Sequence, residues 1–266
     1  MFEQITPLIL TFDEAPNIVR TLTRLSWARR IVVVDSGSTD ATLDLLRGYP
    51  QVDVVQHPFS DFATQCNFGL TQIKTPWVLS LDADYELSEG LVDEIGALTD
   101  DASVAGYRAR FVYRIYGRPL RATLYPPRIV LYRLDAARYH NEGHGHRVSV
   151  AGEVGALRHA IYHDDRKPLA RWFASQQRYA LEEACYLYAK APAELTRADR
   201  LRRMAWPAPL GVLFYTLFAK GCILDGWPGW FYALQRLVAE ALIALAVLDR
   251  RLRGTDDEQD DGAPGR

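Results

Sequence analysis

A strand at Val52 to Gln56 and three short apolar runs limit what this chain can fold into, the runs being Ile5 to Phe12, Ile31 to Asp35 and Trp77 to Asp82. Such runs suit strands buried on both faces of a sheet. Between them lie segments with helical spacing: Ile18, Val19, Leu22 and Leu25, then Leu43, Leu45 and Leu46, then Asp61 to Ile73. Parallel neighbours need a crossover of this kind, and the crossover is right-handed. The alternation therefore predicts an α/β fold with an open, mostly parallel sheet flanked by helices, which binds ligands at the carboxyl ends of its strands. Ser38 or Thr39 is the expected N-cap of the second helix.

Acids stand where that rule looks for a site. Asp13 and Glu14, Asp35, and Asp82 with Asp84 each follow an apolar run. Alternation in an extended chain puts Asp82 and Asp84 on one side, where two like charges repel unless a cation lies between them. The spacing suggests a divalent ion with hard oxygen ligands, of the kind diphosphates require. An ordinary alternative is that these carboxylates cap helices or close turns. Neither G-x-x-x-x-G-K-[ST] nor a G-x-G-x-x-G following a strand occurs, so any nucleotide phosphate must be neutralised by metal and arginine.

At 266 residues, 48% of them hydrophobic, and with a formal charge of -2, the chain has ample core and no basic excess, which argues against nucleic acid as a partner. Cys66, Cys185 and Cys222 form neither a disulfide framework nor a zinc pattern, which suits a reducing cytoplasm. No basic region followed by an apolar core precedes Ile5, so no signal peptide is expected.

Thr11-Phe12-Asp13-Glu14, Val32 to Asp40 (VVVDSGSTD), Gln65 with Asn67, and Leu81-Asp82-Ala83-Asp84 together resemble the nucleotide-sugar half of glycosyltransferase family 2 in order and spacing. Within that family the chain looks most like the lipopolysaccharide inner-core glucosyltransferase-like group. The resemblance covers Ile5 to His163 and implies a GT-A fold, a UDP-sugar donor, Mg2+ or Mn2+, and inversion by single displacement. By the same resemblance Asp35 would read uracil or ribose, Thr11, Asp13 and Glu14 would form the loop beside the base, and Gln65 and Asn67 would lie near the sugar. Asp82 would contact ribose or metal, Asp84 would be the metal ligand, and His163 would complete the coordination.

After Asp100, Gly106 to Tyr116 and Arg128 to Leu134 read as longer strands walling the acceptor side. Their tyrosines, Tyr107, Tyr113 and Tyr116, and the intervening Tyr125 can stack on sugar rings or fill core; Arg128 can meet a diphosphate or face solvent. The run His140 to Arg147 lacks a partner set for zinc. Sugar transfer needs a base for the acceptor hydroxyl, and relatives place an acid near this point; Glu142, His144 and His146 are the candidates. The acceptor expected from the resemblance is lipid-linked or of lipopolysaccharide type. A polyprenyl-phosphate sugar transferase and a non-catalytic nucleotide-sugar-binding protein are the alternatives.

The catalytic domain is expected over 1–165, an amphipathic helical appendage over 166–253 and a disordered acidic tail over 254–266. Leu210 to Leu224 and Phe231 to Leu248 fall short of clear spanning helices, which need about twenty mostly apolar residues. With Trp206, Trp227 and Trp230 and the flanking arginines they suit helices lying on the cytoplasmic face of a membrane; packing on the domain or on a second copy of the chain is the alternative.

Overall fold

The computed structural model describes residues 1–142 and 145–260, with side chains outside 142, 145–146 and 254–260. The chain divides into two compact units, Met1–Lys167 and Pro168–Arg266, so the observed division falls two residues after the expected one.

In the first unit the four expected strands are β1 (Ile5–Thr11), β2 (Ile31–Asp35), β3 (Val52–Gln56) and β4 (Trp77–Asp82), β3 being largely exposed, with helices α1 (Ile18–Thr23), α2 (Thr42–Leu46) and α3 (Phe62–Thr71) in the crossovers. They pair in parallel in the order β3-β2-β1-β4. Thr11 stands opposite Asp35, and Leu10 stands opposite Asp82. One-to-one pairing thus brings three strand ends, scattered through the sequence, to one edge of the sheet.

Beyond β4 the sheet is mixed. Strand β5 (Tyr85–Leu87) and helix α4 (Glu89–Ala97) come next, then the twelve-residue β6 (Val104–Ile115), the short β7 (Arg118–Pro119), β8 (Arg128–Arg133), β9 (Ala137–Glu142), β10 (Gly145–Val150) and β11 (Glu153–His163). Strand β8 pairs antiparallel with β4 and β6; β11 pairs parallel with β6 and antiparallel with β5 at the edge; β9 and β10 form a separate hairpin. The parallel expectation therefore holds for the first four strands and gives way to mixed pairing beyond them.

The sheet's two faces are covered separately. Ile9, Leu22, Val33, Leu79 and Leu91 pack on one side; Leu8, Val34, Cys66, Val78 and Tyr132 pack on the other. Successive side chains of one strand, Leu8 and Ile9 or Val33 and Val34, divide between the layers, as the pleat requires. Asp61 caps α3 by accepting from the Thr64 N–H, and Ser88 caps α4 by accepting from the Leu91 N–H. Ser38 and Thr39 do not cap α2, because both are bound to other loops.

The second unit is helical: α5 (Leu169–Ala189), α6 (Arg197–Arg203), α7 (Pro207–Phe214) and α8 (Trp227–Asp260), with a π-helical turn at Tyr215–Ala219 and a 3-10 turn at Cys222–Asp225. Its apolar centre is small: Ala184, Leu187, Ala205, Ala244 and Val247. The tail expected to be disordered from Gly254 instead continues α8 as far as Asp260, after an Asp249–Arg253 pair one turn apart that supports the helix. The remaining tail residues lie outside the described ones.

Candidate active site

The loops after β1 and β2 are laced together. Asp35 is buried, and its carboxylate accepts from the Thr11 hydroxyl at 2.8 Å, the Gly37 and Ser38 N–H groups at 3.0 and 2.9 Å, and the Ser38 hydroxyl. Asp35 thus takes the turn-closing role, and reaching a ligand with this carboxylate would mean displacing one of those donors. Asp13 sits at φ 52, a left-handed position that Asp tolerates better than most residues. Its N–H donates to the Ser38 hydroxyl at 2.8 Å, and its carboxylate accepts from the Thr39 N–H at 2.6 Å. The Glu14 N–H donates to the Thr42 hydroxyl at 2.7 Å.

Gln65 and Asn67, on α3, both work structurally. Gln65 is buried and donates to the Ser36 hydroxyl and the His57 carbonyl, each at 2.9 Å. Asn67 exchanges a pair of 3.0 Å hydrogen bonds with the Tyr139 backbone, which clamps β9 to α3. Asn141 extends that clamp by donating to Asp61 at 3.1 Å.

The end of β4 meets the end of β11. Neither Asp82 nor Asp84 caps a helix, since Ser88 caps α4. Asp84 Oδ2 lies 3.2 Å from His163 Nε2. Tyr113, Tyr85 and Tyr125 surround the His163 ring at centroid distances of 4.5, 5.2 and 5.2 Å, and the Tyr85 and Tyr125 hydroxyls share a hydrogen bond. These tyrosines therefore serve the site by packing its histidine. Tyr107 instead tilts against Trp77, and Tyr116 is exposed at the β6–β7 turn.

The segment after β11 returns across the β1 loop and supplies residues that the sequence motifs did not reveal. The Lys167 ammonium donates to Glu14 at 2.6 Å and lies 3.7 Å from Asp165. Buried Asn17 donates to Glu14 and Asp165, both at 2.9 Å, and accepts from the Arg166 N–H. Arg20 donates to the Asp164 carbonyl. Partners 148 residues apart leave no local signature.

Electrostatics follow from this arrangement. Burial opposes ionisation of Asp84, but His163 beside it and Lys167 farther off hold its carboxyl down to about 2. Burial pulls the His163 imidazole down, and the Asp84 charge and hydrogen bond more than reverse that, so it lies above its ordinary value. Burial also pushes the Glu14 carboxyl up to about 7, against the pull of Lys167. The ammonium of Lys167 is likewise opposed by burial but raised by Asp84, Glu14 and Asp165, and so remains charged.

Asp84 Oδ1 and His163 Nδ1 are buried without a hydrogen-bond partner. Among the described residues no group of three His, Cys, Asp or Glu side chains forms a cage for a metal ion. An ion shared with a diphosphate needs no such cage, because Mg2+ is commonly held by one or two protein ligands together with phosphate oxygens and water. The unpartnered, buried Asp84 Oδ1 fits that use, and His163 would have to give up its contact with Asp84 to join it.

Arg128 stacks over Tyr125, 4.6 Å from the ring centroid, at the start of β8. Of the three base candidates, His144 lies outside the described residues, as do the side chains of Glu142 and His146. A separate concavity lined by Ile5, Thr6, Arg30 and Lys74 lies at the amino end of β1, away from these acids.

The model of "Glycosyl transferase family 2" matches residues 8–160. The lipopolysaccharide core biosynthesis glycosyltransferase LpsC of Rhizobium meliloti (strain 1021) is 26% identical over 257 residues, 92% of each chain. An uncharacterized glycosyltransferase of Rickettsia bellii (strain RML369-C) is 37% identical over 94 residues, 35% of this chain and only 32% of that relative's length. Among solved structures, S. aureus TarS 1-349 aligns with a TM-score of 0.47 at 15% identity, covering 99% of this chain and 93% of that one.

Proposed function

The chain belongs to glycosyl transferase family 2, and from that membership we propose that it transfers a sugar from a UDP-sugar to a lipid-linked or lipopolysaccharide-type acceptor. The sugar proposed is glucose, with inversion at the anomeric carbon. The observation that carries the reading is the meeting of Asp84, His163, Glu14 and Lys167 at the carboxyl ends of β1 and β4. The acceptor class is supported by similarity to a relative named for lipopolysaccharide core biosynthesis.

In the reaction an acceptor oxygen attacks the anomeric carbon, the bond to the diphosphate breaks, UDP leaves, and the acceptor proton passes to a base. Glu142, His144 and His146 remain the proposed bases. Asp84, Asp82 and His163 are the residues proposed to hold Mg2+ or Mn2+, which would compensate the charge of the leaving diphosphate. The Lys167 cation offsets Glu14 and Asp165, so the strand ends do not repel an anionic donor. Arg128, beside Tyr125, is a further cation available to phosphate. The Asp35–Ser38–Asp13 network fixes the two loops proposed to face the nucleoside, with Thr11 and Gln65 bracing it from below.

The test is a thermal-shift screen of nucleotide sugars with and without Mn2+, followed by a UDP-release assay. One UDP-sugar should stabilise strongly and only with the metal, and UDP should appear only when acceptor is present. If no nucleotide sugar raises the melting temperature under either condition, the proposal fails.

A further inference from the structure

The second unit turns its largest apolar side chains outward. From Met204 to Leu234 the only charged residues are Lys220 and Asp225. Within that stretch Trp206, Phe214, Phe218, Leu224, Trp227 and Trp230 are each between 45% and 73% exposed. Phe214 and Phe218 are one turn apart and stack at 6.0 Å, so they form a continuous ridge. Soluble monomers rarely expose so many large apolar side chains in one segment without a use.

A basic cluster stands where this segment begins, at Arg203. Arg203 and Arg250 lie over the Tyr188 ring, 5.4 and 5.5 Å from its centroid, and Arg251 donates to the Arg203 carbonyl at 2.7 Å. These three guanidiniums come together from α6 and α8 with no ion pair to a carboxylate among the described residues. Exposed tryptophans, an apolar ridge and clustered arginines are the chemistry of a surface seated in the headgroup region of an anionic bilayer.

Helix α8 is long and apolar enough over Trp227–Arg253 to cross a membrane by composition alone. Its packing argues against that use. Glu240, near the middle, is buried and accepts from Arg202 of α6 at 2.6 Å, and Arg202 also reaches Glu183 of α5 at 2.9 Å. Inserting α8 across a bilayer would carry this network and the arginine-rich α6 with it, at a steep cost.

We propose that the second unit is a monotopic membrane-docking module whose 204–234 segment lies in the interface of an anionic bilayer, with Arg203, Arg250 and Arg251 on headgroup phosphates. The inference stands on this unit alone and does not depend on the donor reading.

The test uses the full chain with vesicles of phosphatidylcholine, with and without phosphatidylglycerol, in co-sedimentation and in tryptophan quenching by brominated acyl chains. The wild-type chain should sediment with the anionic vesicles and its emission should be quenched. Phe214→Glu and Phe218→Glu should each weaken binding by about tenfold or more, since each removes a buried aromatic from the interface. Arg250→Glu with Arg251→Glu should abolish the preference for phosphatidylglycerol and its salt dependence. Phe59→Glu, at an exposed phenylalanine of the first unit, should bind as wild type. Should Phe214→Glu fail to fold, Phe218→Glu and wild-type quenching still decide the matter. The proposal is overturned if the wild-type chain is neither sedimented nor quenched, or if both Phe variants bind unchanged. It is also overturned if sedimentation equilibrium shows a dimer that the Phe variants dissociate while lipid binding is absent, which would make the ridge an interface between copies.

Discussion

The two units distribute charge and apolar surface in opposite ways. In the first, the core under the sheet is apolar and the ionisable groups gather at one edge, around Glu14, Asp84, His163 and Lys167. In the second, the buried centre contains the Arg202–Glu183–Glu240 network, while the tryptophans and phenylalanines face out. The strand ends of a parallel sheet give charges a rigid place that is still open to a ligand. A small helical bundle has no such edge, so its charges lock helix to helix, and what it offers the outside is apolar. The contrast separates a unit suited to bind anions from a unit suited to meet a surface.

The largest effect should come from the sheet edge. Asp84→Ala removes the carboxylate proposed to hold the metal and should lower turnover by roughly a thousandfold, an effect of several kcal/mol typical of lost charge stabilisation. UDP release measures the loss, and a far-UV spectrum matching wild type shows that the fold is kept. A variant turning over at the wild-type rate would remove the chemical half of the comparison.

Next in size is the helical centre. Arg202→Ala removes the cation that buried Glu183 and Glu240 share, leaving Glu240 the longer 3.7 Å contact with Arg236, and should cost about 3 kcal/mol of stability. Replacing all three by Met and Leu should recover most of that, because a buried ion pair rarely outperforms a well-packed apolar substitute. Urea unfolding of both variants checks the pair of outcomes. Equal stability of wild type and Arg202→Ala would mean that the network contributes nothing.

Lys167→Met should act on the first unit more gently. Burial then keeps Glu14 protonated while Asp165 faces the donor without the cation, and donor affinity should fall by about thirtyfold, or 2 kcal/mol, with partial recovery in Lys167→Arg. Titration calorimetry with UDP would show it. Unchanged affinity would confine Lys167 to holding the β1 loop.

That residue also marks where the sequence stopped being informative. Strands β1, β2 and β4 and their terminal acids were legible because a strand buried on both faces must be continuously apolar, and its end is then evident. Strand β11 was not expected. Its residues Glu153, Arg158 and His159 break the apolar pattern, and within the register shift between Ala156 and Ala160 the Arg158 and His159 N–H groups donate to Glu94. The four donors around Asp35, from Thr11, Gly37 and Ser38, are not legible in its motif, since a motif gives residue type and spacing but not which donors reach a carboxylate. Asn17, Arg20 and Lys167 belong to the site through contacts made only after β11 has crossed the sheet. The exposed ridge of the second unit was half visible: its composition was plain, whereas the buried clasp on Glu240 appears only when α5, α6 and α8 pack.

The smallest effect tests how the second unit holds its charged helix ends. Asp199 accepts from the Thr196 N–H at 3.0 Å while the Thr196 hydroxyl caps the Asp199 N–H, and Lys190 donates to the same carboxylate at 3.2 Å. Partial burial opposes its ionisation, but these bonds hold the carboxyl below its ordinary value of 3.8. Because the folded value is depressed, the stabilisation is present above pH 3.8 and disappears as pH falls through the folded value. Asp199→Asn should therefore cost about 1 kcal/mol at neutral pH, the usual worth of a helix cap, and nothing once the wild-type carboxyl is protonated. Melting curves of the two proteins should converge on acidification. Curves that stay parallel down to the acid limit would mean that the cap holds α6 by shape, with no contribution from its charge.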